Sequence, residues 1–402
     1  MYKPIGTQKF NRKLFVLPAI ILLLIIYVIA ALLLPMPKVV AKTENIALEP
    51  NKLSTIFWPK ADQMAVGAEG YGVLTTNGEQ KSHPIASIAK TMVALTVIEQ
   101  KPLKLGEQGP TLTMTQQDID SYKANLALNG SVVPVNLNEK LTEYQLLQAL
   151  LVPSGDNIAD TLAIWAFGSV DKYLEYANQK AAAWGLKETK FADASGLSPQ
   201  TVSSAQNLIT IGDKVLDDPV LAEIVSQSDV DLPVVGKVKN YNSILGQDNI
   251  IGIKTGNTNE AGGCLLFAAK NAIGGKEIKI IGAILGAKDR ATALQNTKIF
   301  LERNTNAFGL ETIIKKGDIV GTYETPWGKK INAVAKDDLQ VLVIDKEKIT
   351  PKINLQDITS PKNQGDVIGE VSVDANGTTI KTSVILQNKF TKPPFYWKII
   401  HP

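Results

Sequence analysis

The tightest constraint on this chain is an uncharged run of 21 residues, Leu14 to Leu34 (LFVLPAIILLLIIYVIAALLL). As a helix it reaches about 30 Å, the thickness of a bilayer's hydrocarbon core. Lys3, Lys9, Arg12 and Lys13 precede it, and Lys38, Lys42, Glu44 and Glu49 follow with balanced charge. The positive-inside rule then leaves residues 1–13 as a cytoplasmic tail, makes 14–34 a transmembrane signal-anchor in contact with membrane lipid, and puts the rest outside. A cleaved signal peptide has a shorter apolar core and a small-residue cleavage site, and Val39-Val40-Ala41 is a poor one. An uncleaved single-pass anchor is the expectation.

Other features remove whole classes of function. At 402 residues, the chain suits two or three domains, and its 45% hydrophobic content is that of a globular protein. The net charge is only +3, and Arg12, Arg290 and Arg303 are the sole arginines. With no basic cluster interleaved with aromatics, nucleic acid is not an expected partner. Cys264 is the single cysteine, so there is no disulfide framework and no thiolate metal site. Beside Leu265, Leu266 and Phe267 it reads as core. His83 and His401 are the only histidines, and neither placement suits a buried Ser-His-Asp relay or a zinc hydrolase. No metal or cofactor is expected, and a hydrolase built on this chain would use lysine as its base.

Residues 35–49, with Pro35 and Pro37, read as a linker that leads on to Pro50 and Asn51. Ala65 to Leu74 is strand-like, and Thr75 to Gly78 carries an Asn-Gly hairpin signal. Leu112 to Thr115 reads as a strand and Thr115 to Tyr122 as a polar turn. Asn138 to Leu151 has helical period, with Thr142 and Gln145 as a capping pair. Helices are expected over Ile158–Phe167, Val170–Trp184, Ser203–Asp213, Pro219–Ser226 and Ala291–Asn304, and a strongly apolar strand over Ile278–Ala287. Strands flanking a helical insert make 50–305 an α/β or α+β domain. From Lys315 the helical period disappears. Short apolar runs at Ile319, Ile331, Leu339, Val367 and Thr379, with turns such as Asn376-Gly377, give a small all-β module over 306–402. The aromatics between Phe390 and Trp397 suit either packing on that module or contact with lipid headgroups.

Chemistry-bearing residues fall in three short boxes. Ser87 and Lys90 stand one turn apart on one face of a helix that continues through Met92, Leu95 and Ile98. A partly desolvated lysine there can take the serine proton. Ser154-Gly155-Asp156-Asn157 opens a helix and offers a hydroxyl that can relay a proton. Lys254-Thr255-Gly256 precedes an apolar strand and supplies fixed positive charge beside a strand edge. Each box alone has an ordinary reading as a cap or a hairpin lysine. A second Ser-x-x-Lys, Ser169 and Lys172, has nothing around it to recommend it.

In order, SIAK, SGDN and KTG resemble the three boxes of the penicillin-recognising serine peptidases. The closest resemblance is to the D-alanyl-D-alanine carboxypeptidases, the low-molecular-mass penicillin-binding proteins of serine peptidase family S11. IGIKTGNTNEAGGCLLF (Ile251 to Phe267) and FADASGL (Phe191 to Leu197) extend the likeness, which runs from about 60 to 305 and on into the β module. It implies an α/β (α+β) transpeptidase fold of the penicillin-binding-protein and β-lactamase type, with a helical subdomain and a small all-β domain. It also implies an extracytoplasmic enzyme at the bacterial cell membrane. That enzyme would remove the terminal D-alanine from peptidoglycan stem peptides ending in D-Ala-D-Ala and be acylated by β-lactams. By resemblance, Ser87 is the nucleophile, Lys90 its base and Ser154 the proton carrier. Lys254 polarises that hydroxyl, Thr255 and Gly256 line the substrate, and the backbone N–H groups of Ser87 and Asn257 form the oxyanion hole. Arg290 holds the substrate carboxylate, a bidentate task suited to arginine.

Two departures stand out. The family's second box usually reads Ser-Gly-Asn-Asp, so Asp156 replaces a substrate-binding amide, and a carboxylate cannot donate. Asp156 could pair with Lys90 or Lys254, or Asn157 could reach the substrate through a shifted turn. The family's HYST segment appears as Thr201-Val202-Ser203-Ser204, without its histidine. A D,D-endopeptidase and a β-lactamase of the same fold, and a non-catalytic muropeptide-binding surface protein, are the alternatives.

Overall fold

The computed structural model describes residues 13–46, 55–344, 349–375 and 378–401. Residues 1–12 of the expected 1–13 tail, and the Pro50, Asn51 and Asn376-Gly377 turn signals, lie outside them. Helix α1 (Lys13–Leu33) covers the apolar run, with its large side chains from Val16 onward turned outward. A short strand follows, β1 (Ala41–Thr43).

The first large unit begins with β2 (Gln63–Ala68) and β3 (Gly72–Asn77). Their turn is at Glu69 to Tyr71, where Gly70 takes φ +74°, and not at the expected Asn77-Gly78. The chain then enters a helical region. It holds β4 (His83–Pro84), a 3₁₀ turn over Ala86–Ala89, α2 (Lys90–Gln100), β5 (Thr111–Thr113), α3 (Gln116–Ala127), β6 (Lys140–Thr142), α4 (Glu143–Leu151), α5 (Asp156–Phe167) and α6 (Val170–Ala183). It continues with β7 (Val202–Ser203), α7 (Ala205–Asp217), α8 (Pro219–Val225), β8 (Asp229–Leu232) and β9 (Gly236–Lys239). Helix α3 replaces the polar turn expected at Thr115 to Tyr122. The signal was a cap: Asp118 accepts from the Thr115 backbone N–H at 2.7 Å. The Thr142/Gln145 pair does cap α4, with reciprocal bonds of 2.9 and 3.2 Å. Ser169 is an ordinary N-cap of α6, accepting from the Lys172 N–H.

The chain returns through β10 (Ile250–Thr258), β11 (Gly262–Ile273), β12 (Lys276–Ala287) and α9 (Arg290–Arg303). These strands complete an antiparallel sheet in the order β10-β11-β12-β2-β3. Both faces are covered, so its strands are apolar on both sides. Leu266, Ala268, Ile281 and Ala283 join the helical core around α2, α5 and α7. Leu265, Phe267, Ile280 and Ile284 pack with Phe300 of α9. The period of two assigns alternate residues to opposite layers. Cys264 is buried in the first layer, as core, and burial pushes its thiol up to about 12.

The second unit comprises β13 (Gly309–Ile314), β14 (Ile319–Glu324), β15 (Lys330–Ala335), β16 (Leu339–Val343), β17 (Lys352–Leu355), β18 (Val367–Ala375), β19 (Thr378–Leu386) and α10 (Phe395–Ile400). Its main sheet runs β1-β14-β15-β19-β18-β17. The segment expected to be a free linker therefore supplies an edge strand, with Ala41 opposite Tyr323 and Thr43 opposite Gly321. Val39 bridges Ile358 through backbone bonds of 2.9 and 3.0 Å, so the sheet curls towards closure. Phe390 is buried beside Tyr323 and Trp327, which settles that aromatic as core. The β13–β16 ribbon leans on the first unit: Leu342 and Ile344 join the Phe267 layer, and Lys276 bonds Gln340.

Two predictions follow from this packing. The Phe267 ring lies across its strand partner Gly282, where an added Cβ would sit 2.1 Å from the ring. Gly282→Ala should destabilise the protein by about 1–3 kcal/mol, read from the denaturant midpoint. Separately, the Glu143 carboxylate is buried, and burial raises it from 4.5 to about 7, with Lys101 opposing. The folded state holds this proton more tightly than the unfolded one. The associated stability is therefore complete below about 4.5 and is lost as the pH rises through about 7. Glu143→Gln should raise the melting temperature relative to wild type at pH 8, with the gain shrinking towards pH 4.

Candidate active site

The site sits where the start of α2 meets β10. The turn carrying Ser87 is bent sharply: Ala86 takes φ +46°, a left-handed conformation unusual for alanine. Two glycines make room for it. A Cβ on Gly196 would stand 1.9 Å from the Ala86 carbonyl oxygen. One on Gly256 would stand 2.7 Å from the Ile85 carbonyl and 3.3 Å from the Ser87 nitrogen. The glycine of the third box therefore lets β10 close onto the serine turn, and brings the Ser87 N–H beside the strand that carries Asn257.

Lys90 is fully buried, and its Nζ has three neighbours: Ser87 Oγ at 2.9 Å, Asp156 Oδ1 at 2.5 Å and the Ser195 carbonyl at 2.7 Å. As an ammonium it donates to all three. As a free amine it has two N–H donors and one lone pair. The Asp156 carboxylate and the Ser195 carbonyl only accept, so the lone pair has a single O–H to receive from, that of Ser87. The arrangement thus orients a base as well as pairing a charge. Ser195 was legible only as part of the FADASGL segment. Asp193 shapes that loop, accepting from the backbone N–H groups of Gly196 and Leu197 and from Ser195 Oγ.

Asp156 therefore pairs with Lys90, one of the arrangements its sequence allowed. The alternative role for Asn157 fails. Its side chain is buried, and its amide is spent on Val133, accepting from the N–H and donating to the carbonyl at 2.9 Å each. Asn157 fixes the loop and is not free to meet a substrate. Ser154, two residues before Asp156, takes φ +66° and is buried. Its Oγ and Asp156 Oδ2 have no hydrogen-bond partner among the described residues.

Lys254 and Thr255 are buried on β10, the outer strand of the sheet. Lys254 Nζ donates to the Thr255 carbonyl at 3.2 Å, and not to Ser154 as expected. Burial pushes its ammonium well below the usual lysine range. The positive charges of Lys90 and Arg290 act in the same direction, and Asp156 opposes them. Arg290 opens α9, with its guanidinium 4.7 Å above the Tyr241 ring. Its backbone N–H donates to the Asn257 side chain at 2.9 Å, which joins the end of β10 to the helix. Tyr241, absent from the sequence reading, lay in a segment with no motif to mark it.

The sequence profile for D-alanyl-D-alanine carboxypeptidase matches residues 60–289, and that for the penicillin-binding protein 5 C-terminal domain matches 308–392. The chain therefore belongs to the D-alanyl-D-alanine carboxypeptidase family. It is 26% identical to the D-alanyl-D-alanine carboxypeptidase DacA of Haemophilus influenzae, over 76% of this chain and 78% of that one. It is 27% identical to the D-alanyl-D-alanine endopeptidase of Escherichia coli, over 61% and 76%. The structure of penicillin binding protein 5 from Haemophilus influenzae superposes with a TM-score of 0.64 at 21% identity, over 85% of this chain and 99% of that one.

The buried pair makes a prediction about stability. Asp156→Ala leaves Lys90 without its carboxylate and should cost about 3–5 kcal/mol, read by chemical denaturation. Asp156→Asn keeps an acceptor oxygen at the same place and should cost clearly less, with acylation by penicillin still measurable.

Proposed function

We propose that the chain acts as a serine D-Ala-D-Ala carboxypeptidase through a Ser87 acyl-enzyme. The observation that carries the reading is the placement of Lys90 Nζ 2.9 Å from Ser87 Oγ, with acceptor-only groups on its other two sides. Lys90 takes the Ser87 proton as Oγ attacks the penultimate D-alanine carbonyl. The oxyanion is met by the N–H groups of Ser87 and Asn257. Ser154, whose hydroxyl has no partner among the described residues, passes a proton to the leaving D-alanine nitrogen. The open edge of β10 pairs with the stem peptide, Thr255 and Gly256 lie along it, and Arg290 grips the terminal carboxylate. Water attacking the ester carbon then releases the shortened peptide and returns the proton to Ser87. A β-lactam enters by the same attack and stays as the acyl adduct.

The reading extends to placement. Helix α1 anchors the chain in the bacterial membrane by a single pass, with both folded units on the outer side. The catalytic domain spans 50–305 and the β domain 306–402.

The test is intact-mass spectrometry after incubation with benzylpenicillin, alongside release of free D-alanine from a pentapeptide ending in D-Ala-D-Ala. Wild type should gain one adduct on the Ser87 peptide, and Ser87→Ala none. Lys90→Ala should acylate slower by at least the ~10²–10⁴-fold typical of a lost general base. An adduct on the Ser169 peptide would mean that the other Ser-x-x-Lys is the nucleophile. Folded wild type giving neither adduct nor D-alanine would leave a non-catalytic wall-binding protein.

A further inference from the structure

Past Gly256, the end of β10 borders a recess of about 550 Å³, with Tyr241, Asn257 and Arg290 among its walls. Arg290 is exposed there. Asp289, next to it in sequence, is engaged as the N-cap of α9, where its Oδ1 accepts from the Thr292 N–H and hydroxyl at 2.8 Å each. Among the described residues the Arg290 guanidinium has no carboxylate partner and no hydrogen bond. What it has is the ring of Tyr241, with the guanidinium carbon 4.7 Å from the ring centroid. A cation held over an aromatic face spends none of its N–H groups on the contact.

The Tyr241 ring stands on a loop that is tied down on both sides. Asn240 donates its N–H to the Ser228 carbonyl at 2.8 Å and its amide to the Gln227 carbonyl at 3.0 Å. Asn240 Oδ1 accepts from the Asn242 N–H at 2.9 Å. Asn242 is buried, and its amide reaches the Gly252 carbonyl of β10 at 3.5 Å. The Ser243 N–H closes the turn on the Tyr241 carbonyl at 3.1 Å. The loop is thus fastened to the strand that carries the third box. The Tyr241 hydroxyl bonds to nothing among the described residues, so the ring face is what acts on Arg290.

We propose that Tyr241 is a positioning residue that sets the preference for a substrate with a free C-terminal carboxylate. The inference rests on the reading of Arg290 as the group that grips that carboxylate. An exposed arginine has many rotamers, and a bidentate grip needs one of them. Stacking on a ring fastened to β10 selects that rotamer in advance, so less freedom is lost when the peptide arrives. The N–H groups stay available for the carboxylate oxygens. Because the grip is the same before and during bond cleavage, losing the stack should weaken binding and spare the chemical step.

The experiment measures turnover of two pentapeptides by the full chain in detergent, one ending in D-Ala-D-Ala and the other in its carboxamide. The proteins are wild type, Tyr241→Phe, Tyr241→Leu and Arg290→Leu. Wild type should favour the free acid. Tyr241→Leu should raise KM for the acid by about 2- to 30-fold, the range a cation–π contact spans from exposed to desolvated sites, with kcat changed far less. The carboxamide should respond little, so the ratio of kcat/KM for acid over carboxamide falls. Tyr241→Phe keeps the ring face and should keep the wild-type ratio. An equal fall for both peptides in Tyr241→Leu would give the ring a purely structural role and overturn the proposal. An unchanged ratio in that variant would overturn it too, as would a Tyr241→Phe variant that behaves like Tyr241→Leu, which would assign the effect to the hydroxyl. If Arg290→Leu leaves the ratio at its wild-type value, the carboxylate grip itself falls, and this inference with it. Turnover of neither peptide by wild type would instead overturn the carboxypeptidase reading on which both stand.

Discussion

The ammonium of Lys90 and the carboxylate of Asp156 meet with almost no solvent around either, their side chains 0% and 1% exposed. Two charges taken out of water are expensive unless every remaining donor and acceptor is used. Three donors of Lys90 find acceptors from three separate stretches, the serine turn, the start of α5 and the Asp193 loop, while Asp156 Oδ2 has no partner among the described residues. Each stretch must therefore be in place before the pair can form. The requirement explains the tight fits around it. A Cβ on Gly130 would stand 2.4 Å from Asp156 Oδ2, just as Gly196 and Gly256 leave space for Ala86 and Ile85.

What the pair fixes on one wall, the sheet fixes on the other. Strand β10 lies at the rim of a sheet whose inner strands are buried on both faces, so its position is set by strands packed between two core layers. Lys254, Thr255 and Gly256 stand on that rim, and Asn257 fastens the rim to α9. The same geometry gives Lys254 its low proton affinity, because a strand residue facing the helical layer is dry and already near another cation. The site joins one side built from loops and helix ends, which holds Ser87, Lys90 and Asp156, to another built from a strand edge, which holds Lys254 and Thr255.

Most of this was legible in the sequence, for a physical reason. Helix and strand periods marked the long elements because burial drives them, and the boxes marked the chemistry because few residue types can perform it. The failures have equally local causes. Asn77-Gly78 looked like the hairpin turn, but the strands pair in a register that the three-residue Glu69–Tyr71 turn connects. The polar residues before Tyr122 concealed α3, whose support is a cap and not an apolar stripe. Asn157 was indistinguishable in sequence from a cleft residue, since only the position of Val133 shows its amide to be consumed. Ser195 contributes a carbonyl, and main-chain acceptors leave no trace in residue identity.

Strand β1 has a consequence for the order of assembly. It is made early in the chain, but its partner β14 comes about 280 residues later, and between them lies the whole catalytic unit. A chain emerging vectorially must hold β1 unpaired, with its backbone groups open, until nearly all of the remainder has been synthesised. The sheet of the second unit can close only by reaching back to the segment next to α1. Assembly therefore ends as a ring closure beside α1, and a chain truncated before β14 would be left with an unsatisfied edge next to that helix, a natural handle for quality-control proteolysis.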